Sequence, residues 1–316
     1  MIWCETVEMF TDLWYNEAKK AHINQYSERE RKMSIEQKLS HDWFIHADDK
    51  NKHLYVSREK PNPSGALSPC NMSPDDVDYE MSQGKNKKVL EICGMEQKSF
   101  EYFVEKYGET YEFLSFFKCQ LISDFSPLEK LKKLEGVKIY WNIRANTLWD
   151  MSQNPELTYL CLNSTKKITY NPIALHTSKN LKQVVFIGDM DTPYPMHSLE
   201  WMRGMSSLEK VTLHLIKLED RSTDILEAMP SLKRFNFPAG MFTTEEIAYM
   251  CAKYPHISGR SLRAYNTEDA MLNDVRVCGY RKPGLDLPKG QARLDKYIKE
   301  FDALVEKYKA ELKNNT

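Results

Sequence analysis

The 316-residue sequence predicts an α/β solenoid: a curved parallel sheet with one short strand per repeating unit, preceded by a non-repeat N-terminal region and closed by a C-terminal helix. Three observations predict it. An apolar motif recurs at a nearly constant step, its slots alternate as a strand requires, and helix-compatible segments separate consecutive copies.

The motif is L-x-x-L-x-L. Its clearest copies place Leu134, Val137 and Ile139; Leu157, Leu160 and Leu162; Leu181, Val184 and Phe186; Leu208, Val211 and Leu213; and Leu232, Phe235 and Phe237 in the three apolar slots. Two weaker copies precede them, Tyr111 with Leu114 and Phe116, and Lys87 with Leu90 and Ile92. The first slots fall at 87, 111, 134, 157, 181, 208 and 232, giving steps of 24, 23, 23, 24, 27 and 24 residues. Eight residues beyond the first slot stand Cys119, Asn142 and Thr165 in three successive copies, side chains able to hydrogen-bond the backbone of a neighbouring turn. Asp189 fits that ninth slot in part, and Met95, Ile216 and Gly240 depart from it.

On these residues the chain resembles the leucine-rich repeat family, whose units run about 20–29 residues, and within it the irregular cytoplasmic members of bacterial type. The resemblance covers residues 87–260 and implies a horseshoe of about seven units. In such a unit the fourth and sixth slots point into the core, while the third, fifth and seventh face the concave side. A helix is expected opposite every strand, for example after Ser126 and Pro127, over Ser198–Met202, and from Thr244 to Cys251.

The flanks read differently. Residues 1–86 suggest an amphipathic helix through Trp3, Val7, Phe10 and Trp14, then a hairpin of residues 43–47 and 53–57, then a linker or strap carrying Pro61, Pro63, Pro69 and Pro74. Residues 261–316 form a C-terminal cap in this reading. Residues 275–278 would add an edge strand, and Leu294, Ile298, Phe301, Val305, Tyr308 and Leu312 line one face of a docking helix.

Composition narrows the function. With 44 Lys and Arg against 45 Asp and Glu, no global field draws the chain to nucleic acid or anionic lipid, and no apolar run is long enough to span a bilayer. Seven cysteines without a C-x-x-C pair disfavour a disulfide framework or zinc knuckle, and the N-terminus lacks a signal-peptide pattern, so a cytoplasmic protein is expected.

The outward slots are rich in aromatic and cationic residues. Phe113, Phe117, Tyr140, Trp141 and Tyr159 would together exceed the roughly 300–600 Å² apolar patch of a typical monomer, at about 150–250 Å² each. With Val185 and Ile187 they form an apolar face, and Lys138, Lys210, His214 and Arg234 would favour acidic groups on a protein partner. The expected function is a non-catalytic protein-interaction module gripping its partner on the concave face, in one form as an inhibitor or immunity protein. No cofactor, metal, nucleic acid or membrane is expected. The alternative is an enzyme or metal-binding protein with its site among His41, Asp42, His46, Asp48, Asp49 and His53, the repeats serving as a substrate-recognition scaffold.

Three weaker constellations complete the reading. Asp189, Asp191 and Glu200 have partial calcium-loop spacing but Tyr194 where the turn needs Gly. Cys161 and His214 occupy outward slots two repeats apart, too distant for a nucleophile pair. Arg276, Tyr280, Arg281 and Lys282 form a short basic turn.

Overall fold

A computed structural model describes residues 53–57, 59–61, 67–69, 72–83, 89–189, 192–268 and 273–314. The chain divides into two compact units, Met1–Asp48 and Asp49–Thr316, and the described residues belong to the second. The expected N-terminal helix, strand 43–47 and the His41–Asp49 group lie outside them.

In chain order the strands are β1 (His53–Ser57), β2 (Glu59–Pro61), β3 (Leu67–Pro69), β4 (Val89–Cys93), β5 (Phe113–Phe117), β6 (Gly136–Tyr140), β7 (Tyr159–Asn163), β8 (Gln183–Ile187), β9 (Tyr194–Met196), β10 (Lys210–His214), β11 (Ile216–Leu218), β12 (Arg234–Asn236), β13 (Tyr265–Asn266), β14 (Val275–Val277) and β15 (Gly284–Leu285). The helices are α1 (Pro74–Gln83), α2 (Gln97–Tyr107), α3 (Lys166–Tyr170), α4 (Thr244–Lys253) and α5 (Gln291–Asn314). Eight strands make one sheet in the order β1-β4-β5-β6-β7-β8-β10-β12, every pair parallel.

In this sheet β4, β5, β6, β7, β8 and β10 each occupy slots three to seven of their repeat, and the register keeps like slots side by side. Val137 pairs with Leu114 and Leu160, and Ile139 with Phe116 and Leu162. Fourth- and sixth-slot residues from Leu90 and Ile92 through Phe235 and Phe237 are buried, as are the first-slot residues from Tyr111 to Leu232. Three apolar side chains per turn, each contributing about 1.5–3 kcal/mol on burial, hold neighbouring turns together.

The turn after each strand repeats too. The eighth-slot residues Gly94, Lys118, Trp141, Ser164 and Leu215 all take left-handed backbone, with φ of 76°, 50°, 58°, 51° and 52°. This costs a non-glycine residue about 1–2 kcal/mol. It turns the backbone N–H toward the next strand: Lys118 donates to Tyr140 O at 3.0 Å, Trp141 to Asn163 O at 2.9 Å and Ser164 to Ile187 O at 2.9 Å. At the same slot Gly188 meets a different constraint, since a Cβ there would stand 2.0 Å from Leu215 O. Here the long step of 27 residues begins, and its extra chain forms β9, which pairs in parallel with β11.

Asn142 holds the inside of the turn. It is buried, its Nδ2 donates to Cys119 O and Ile122 O at 2.8 Å each, and its Oδ1 accepts from Ala145 N at 3.0 Å. Cys119 reaches Ile92 O at 3.6 Å, whereas Thr165 bonds Thr169 within its own repeat at 3.2 Å. Asp189 is exposed. A second internal amide was not expected: Asn154 Nδ2 donates to Leu128 O and Leu131 O at 2.8 Å each, while its Oδ1 accepts from Trp149 Nε1 at 2.7 Å.

Three expectations need correction. The side opposite the strands is built mostly from short 3-10 turns, Ser126–Lys130, Met151–Gln153, Ile173–Thr177, Glu200–Met202 and Asp224–Ala228, with longer α-helices only at α2 and α4. Unit length does not decide this, since α2 fits inside the 24-residue step from 87 to 111; the repeat accepts either helix type. Strand β1 pairs in parallel with β4, its expected hairpin partner 43–47 lying outside the described residues, and the stretch expected to be a linker or strap contains the β2–β3 antiparallel pair and α1. Residues 275–277 pair antiparallel with β13 and β15 in a separate small sheet rather than extending the parallel one.

The C-terminal helix docks as a cap. Thr243 and Glu246 close a capping box at the start of α4, with Glu246 N–H donating to Thr243 Oγ1 at 3.1 Å and Thr243 N–H to Glu246 Oε2 at 2.6 Å. Helix α5 lies against α4: Phe301 enters the main core, Leu294 the small cluster of Val275, Val277 and Leu285, and Tyr308 meets Tyr249 edge-on at 5.5 Å.

Candidate binding face

The outward slots form three rows across the sheet. Slot three carries Phe113, Gly136, Tyr159, Gln183, Lys210 and Arg234; slot five carries Glu91, Ser115, Lys138, Cys161, Val185, Thr212 and Asn236; slot seven carries Phe117, Tyr140, Asn163, Ile187 and His214.

Their exposure splits the face. Tyr159, Lys138, Val185 and Ile187, expected to be open to a partner, are buried, and so are Ser115 and Cys161. Phe113, Phe117, Tyr140 and Lys210 are half-buried, whereas Trp141, His214 and Arg234 are exposed. The face therefore offers an aromatic rim at the C-terminal ends of β5 and β6 and an open cationic end at β10 and β12.

Phe117 and Tyr140 stack with centroids 4.9 Å apart, and Tyr140 lies 6.4 Å from Trp141. Lys118 Nζ sits 5.2 Å from the Phe117 ring and 5.4 Å from Trp141, bridging the two, while Lys138 Nζ approaches Tyr140 at 5.9 Å. Trp141 is 42% exposed and Ile143 beside it 54%. The left-handed turn that the repeat imposes on position 141 thus fixes a large ring at the surface. Lys118 and Ile143 were not singled out from the sequence; Lys118 stands in the eighth slot, whose left-handed backbone only the fold reveals.

The buried centre has perturbed electrostatics. Burial pushes the Glu91 carboxyl above its usual range, opposed by the Lys138 charge and a Ser115 hydrogen bond. Burial also lowers Lys138, with Cys161 and Glu91 acting in the opposite sense. The Cys161 thiol is pushed up to about 11, so it stays protonated and is a poor nucleophile at neutral pH. Strand β8 separates it from His214, whose Nδ1 lies 3.2 Å from Arg260 Nη2. Cys161 and His214 are not brought together.

The remaining constellations do not converge either. Asp191 lies outside the described residues, and Glu200 is engaged by Arg203 at 2.7 Å. No group of three or more His, Cys, Asp or Glu side chains among the described residues could hold a metal ion. No helix among them is long and apolar enough to cross a membrane.

Parallel strands in slot register, a recurring left-handed turn and internal amide rungs define this chain's fold as a leucine-rich-repeat-like solenoid with a C-terminal helix. No family model and no curated protein matches the sequence. Among solved structures the chain is similar to an internalin, InlF, from Listeria monocytogenes str. 4b F2365, at 18% identity and a TM-score of 0.31 over 48% of this chain and 48% of that one. The chain spans about half the length of that internalin.

Proposed function

We propose that this protein is a non-catalytic binding module that works in the cytoplasm and grips a protein partner on the outward face of its parallel sheet. The observation that carries this reading is the aromatic rim of Phe117, Tyr140 and Trp141, clamped by Lys118 and held on rigid repeat backbone. Large rings presented at little entropic cost are what interface hot spots are made of. Lys210, His214 and Arg234 at the open end of the sheet favour an acidic patch on the same partner. The described cysteines are all free thiols, in keeping with a reducing compartment.

In its more specific form the module is an inhibitor or immunity protein that occludes a toxin, which predicts growth protection when the two are co-expressed. The test of the binding reading is the double substitution Phe117→Ala and Tyr140→Ala. It should weaken partner affinity by about 2 kcal/mol or more, roughly 30-fold, in isothermal titration. A loss below about 1 kcal/mol removes the rim from the interface.

A further inference from the structure

Beyond the sheet face, the loop edge of the solenoid has a strand position that is open among the described residues. In the β9–β11 ladder Tyr194 N–H donates to Leu215 O and Glu219 N–H to Met196 O, each at 2.9 Å. Leu215, Lys217 and Glu219 therefore direct backbone groups at β9, and strand alternation turns the N–H and C=O groups of Ile216 and Leu218 to the other side. This ladder advances one strand per repeat: β9 follows β8 and β11 follows β10. A third strand would follow β12. Residues 238–241 turn back there instead, with Met241 N–H donating to Pro238 O at 3.0 Å.

A cavity of about 520 Å³ occupies the place of the missing strand, lined by Ile216, Leu218, Pro238, Gly240, Met241 and Tyr280. Its rim is cationic. Lys217 and Arg221 line it as well, and the guanidinium groups of Arg221 and Arg281 lie 6.0 Å and 5.1 Å from the exposed Tyr280 ring. Two acids nearby are engaged: Glu246 pairs with Arg221 itself at 3.7 Å and closes the α4 capping box, which leaves Lys217 and Arg281 as the cations of the rim, and Glu219 accepts from Tyr170 at 3.0 Å.

We propose that this slot takes an extended acidic segment of a partner protein by strand addition to β11. The segment hydrogen-bonds the outward backbone groups of Ile216 and Leu218, seats apolar side chains against Pro238 and Met241, and places carboxylates at Lys217 and Arg281. It is a site separate from the aromatic rim.

The test is fluorescence anisotropy on the full chain with three fluorescein-labelled probes: the hexapeptide Glu-Val-Glu-Val-Glu-Leu, its Lys-for-Glu counterpart, and the acidic hexapeptide N-methylated at alternate amides. A Cβ at Gly240 meets nothing within 4 Å, so Gly240→Trp fills the slot without displacing the backbone. Saturable binding of the acidic probe is expected, weakened at least about tenfold by Gly240→Trp, by the pair Lys217→Glu and Arg281→Glu, and by N-methylation, and unchanged by Phe117→Ala with Tyr140→Ala. No saturation up to about 1 mM, equal binding of the basic probe, or undiminished binding to Gly240→Trp overturns the proposal. Self-association abolished by Gly240→Trp, without peptide binding, assigns the slot to a second copy of this chain and overturns it equally.

Discussion

Replacing Asn142 by Ala should be the most damaging single polar substitution in the repeats. The side chain is 2% exposed and serves four backbone groups: Cys119 O, Ile122 O, Ala145 N and Arg144 N. Arg144 is exposed and can turn to water, and Cys119 O keeps the Ile122 N–H at 3.3 Å, but the buried Ile122 O and Ala145 N lose the bond that Asn142 makes. An unsatisfied buried group costs about 1–3 kcal/mol, and a water entering the vacated space recovers part of that, so for two such groups a net loss of about 2–3 kcal/mol follows. Urea denaturation monitored by circular dichroism should show the midpoint falling with little change in slope. Asn142→Asp keeps the acceptor but loses the donor to two carbonyls, so it should be no milder than the alanine. If Asn142→Ala costs less than about 1 kcal/mol, the amide rung is not what holds these turns together.

Three other outcomes follow from the same reasoning. Lys106, Tyr107 and Tyr102 hold the Asp78 carboxyl down to about 2, from an ordinary value of 3.8, in a contact that ties α1 to α2. Its contribution is present above pH 3.8 and is lost as the pH falls through about 2, so Asp78→Asn should be less stable than wild type at neutral pH and converge with it across that window in acid denaturation. Cys161, fully buried with its thiol raised to about 11, should resist iodoacetamide at pH 8 in the native state and react once the chain is unfolded, as read by mass spectrometry; rapid native labelling contradicts its burial. Phe301→Ala removes the ring that anchors α5 in the main core and should cost about 3 kcal/mol in thermal unfolding, with early hydrogen exchange confined to residues 291–314.

The strands were legible because two independent regularities agree: alternation within each strand and a nearly fixed step between strands. That agreement placed the core slots and the Asn142 rung correctly. The connecting turns were not legible to the same degree, because Leu128 and Leu131, three apart, satisfy a 3-10 turn as well as an α-helix. Asn154 gave no signal, since its ring partner Trp149 and its two carbonyl partners come from places only the fold brings together. Strands β9 and β11 arise from the one long step, which by itself says where extra chain lies but not that it pairs.

The candidate face shows the same division. Slot counting identified Phe117, Tyr140 and Trp141 as neighbours, and they are. It could not rank exposure along the face, because Tyr159 and Trp141 are chemically alike while one is buried and the other 42% exposed. Exposure differs between like side chains along the outward face, and the repeat pattern does not encode that difference. The left-handed eighth slot was equally invisible: Lys118, Trp141, Ser164 and Leu215 share a backbone conformation but no side-chain chemistry.

The measurement closest to the central claim is a quantitative pull-down from extract of the source organism, with wild-type protein beside a Phe117→Ala, Tyr140→Ala and Trp141→Ala variant of unchanged thermal stability. A protein that co-purifies in near-stoichiometric amount with wild type and is lost from the variant is the predicted result. The same protein retained in full on the variant would contradict binding through the aromatic rim.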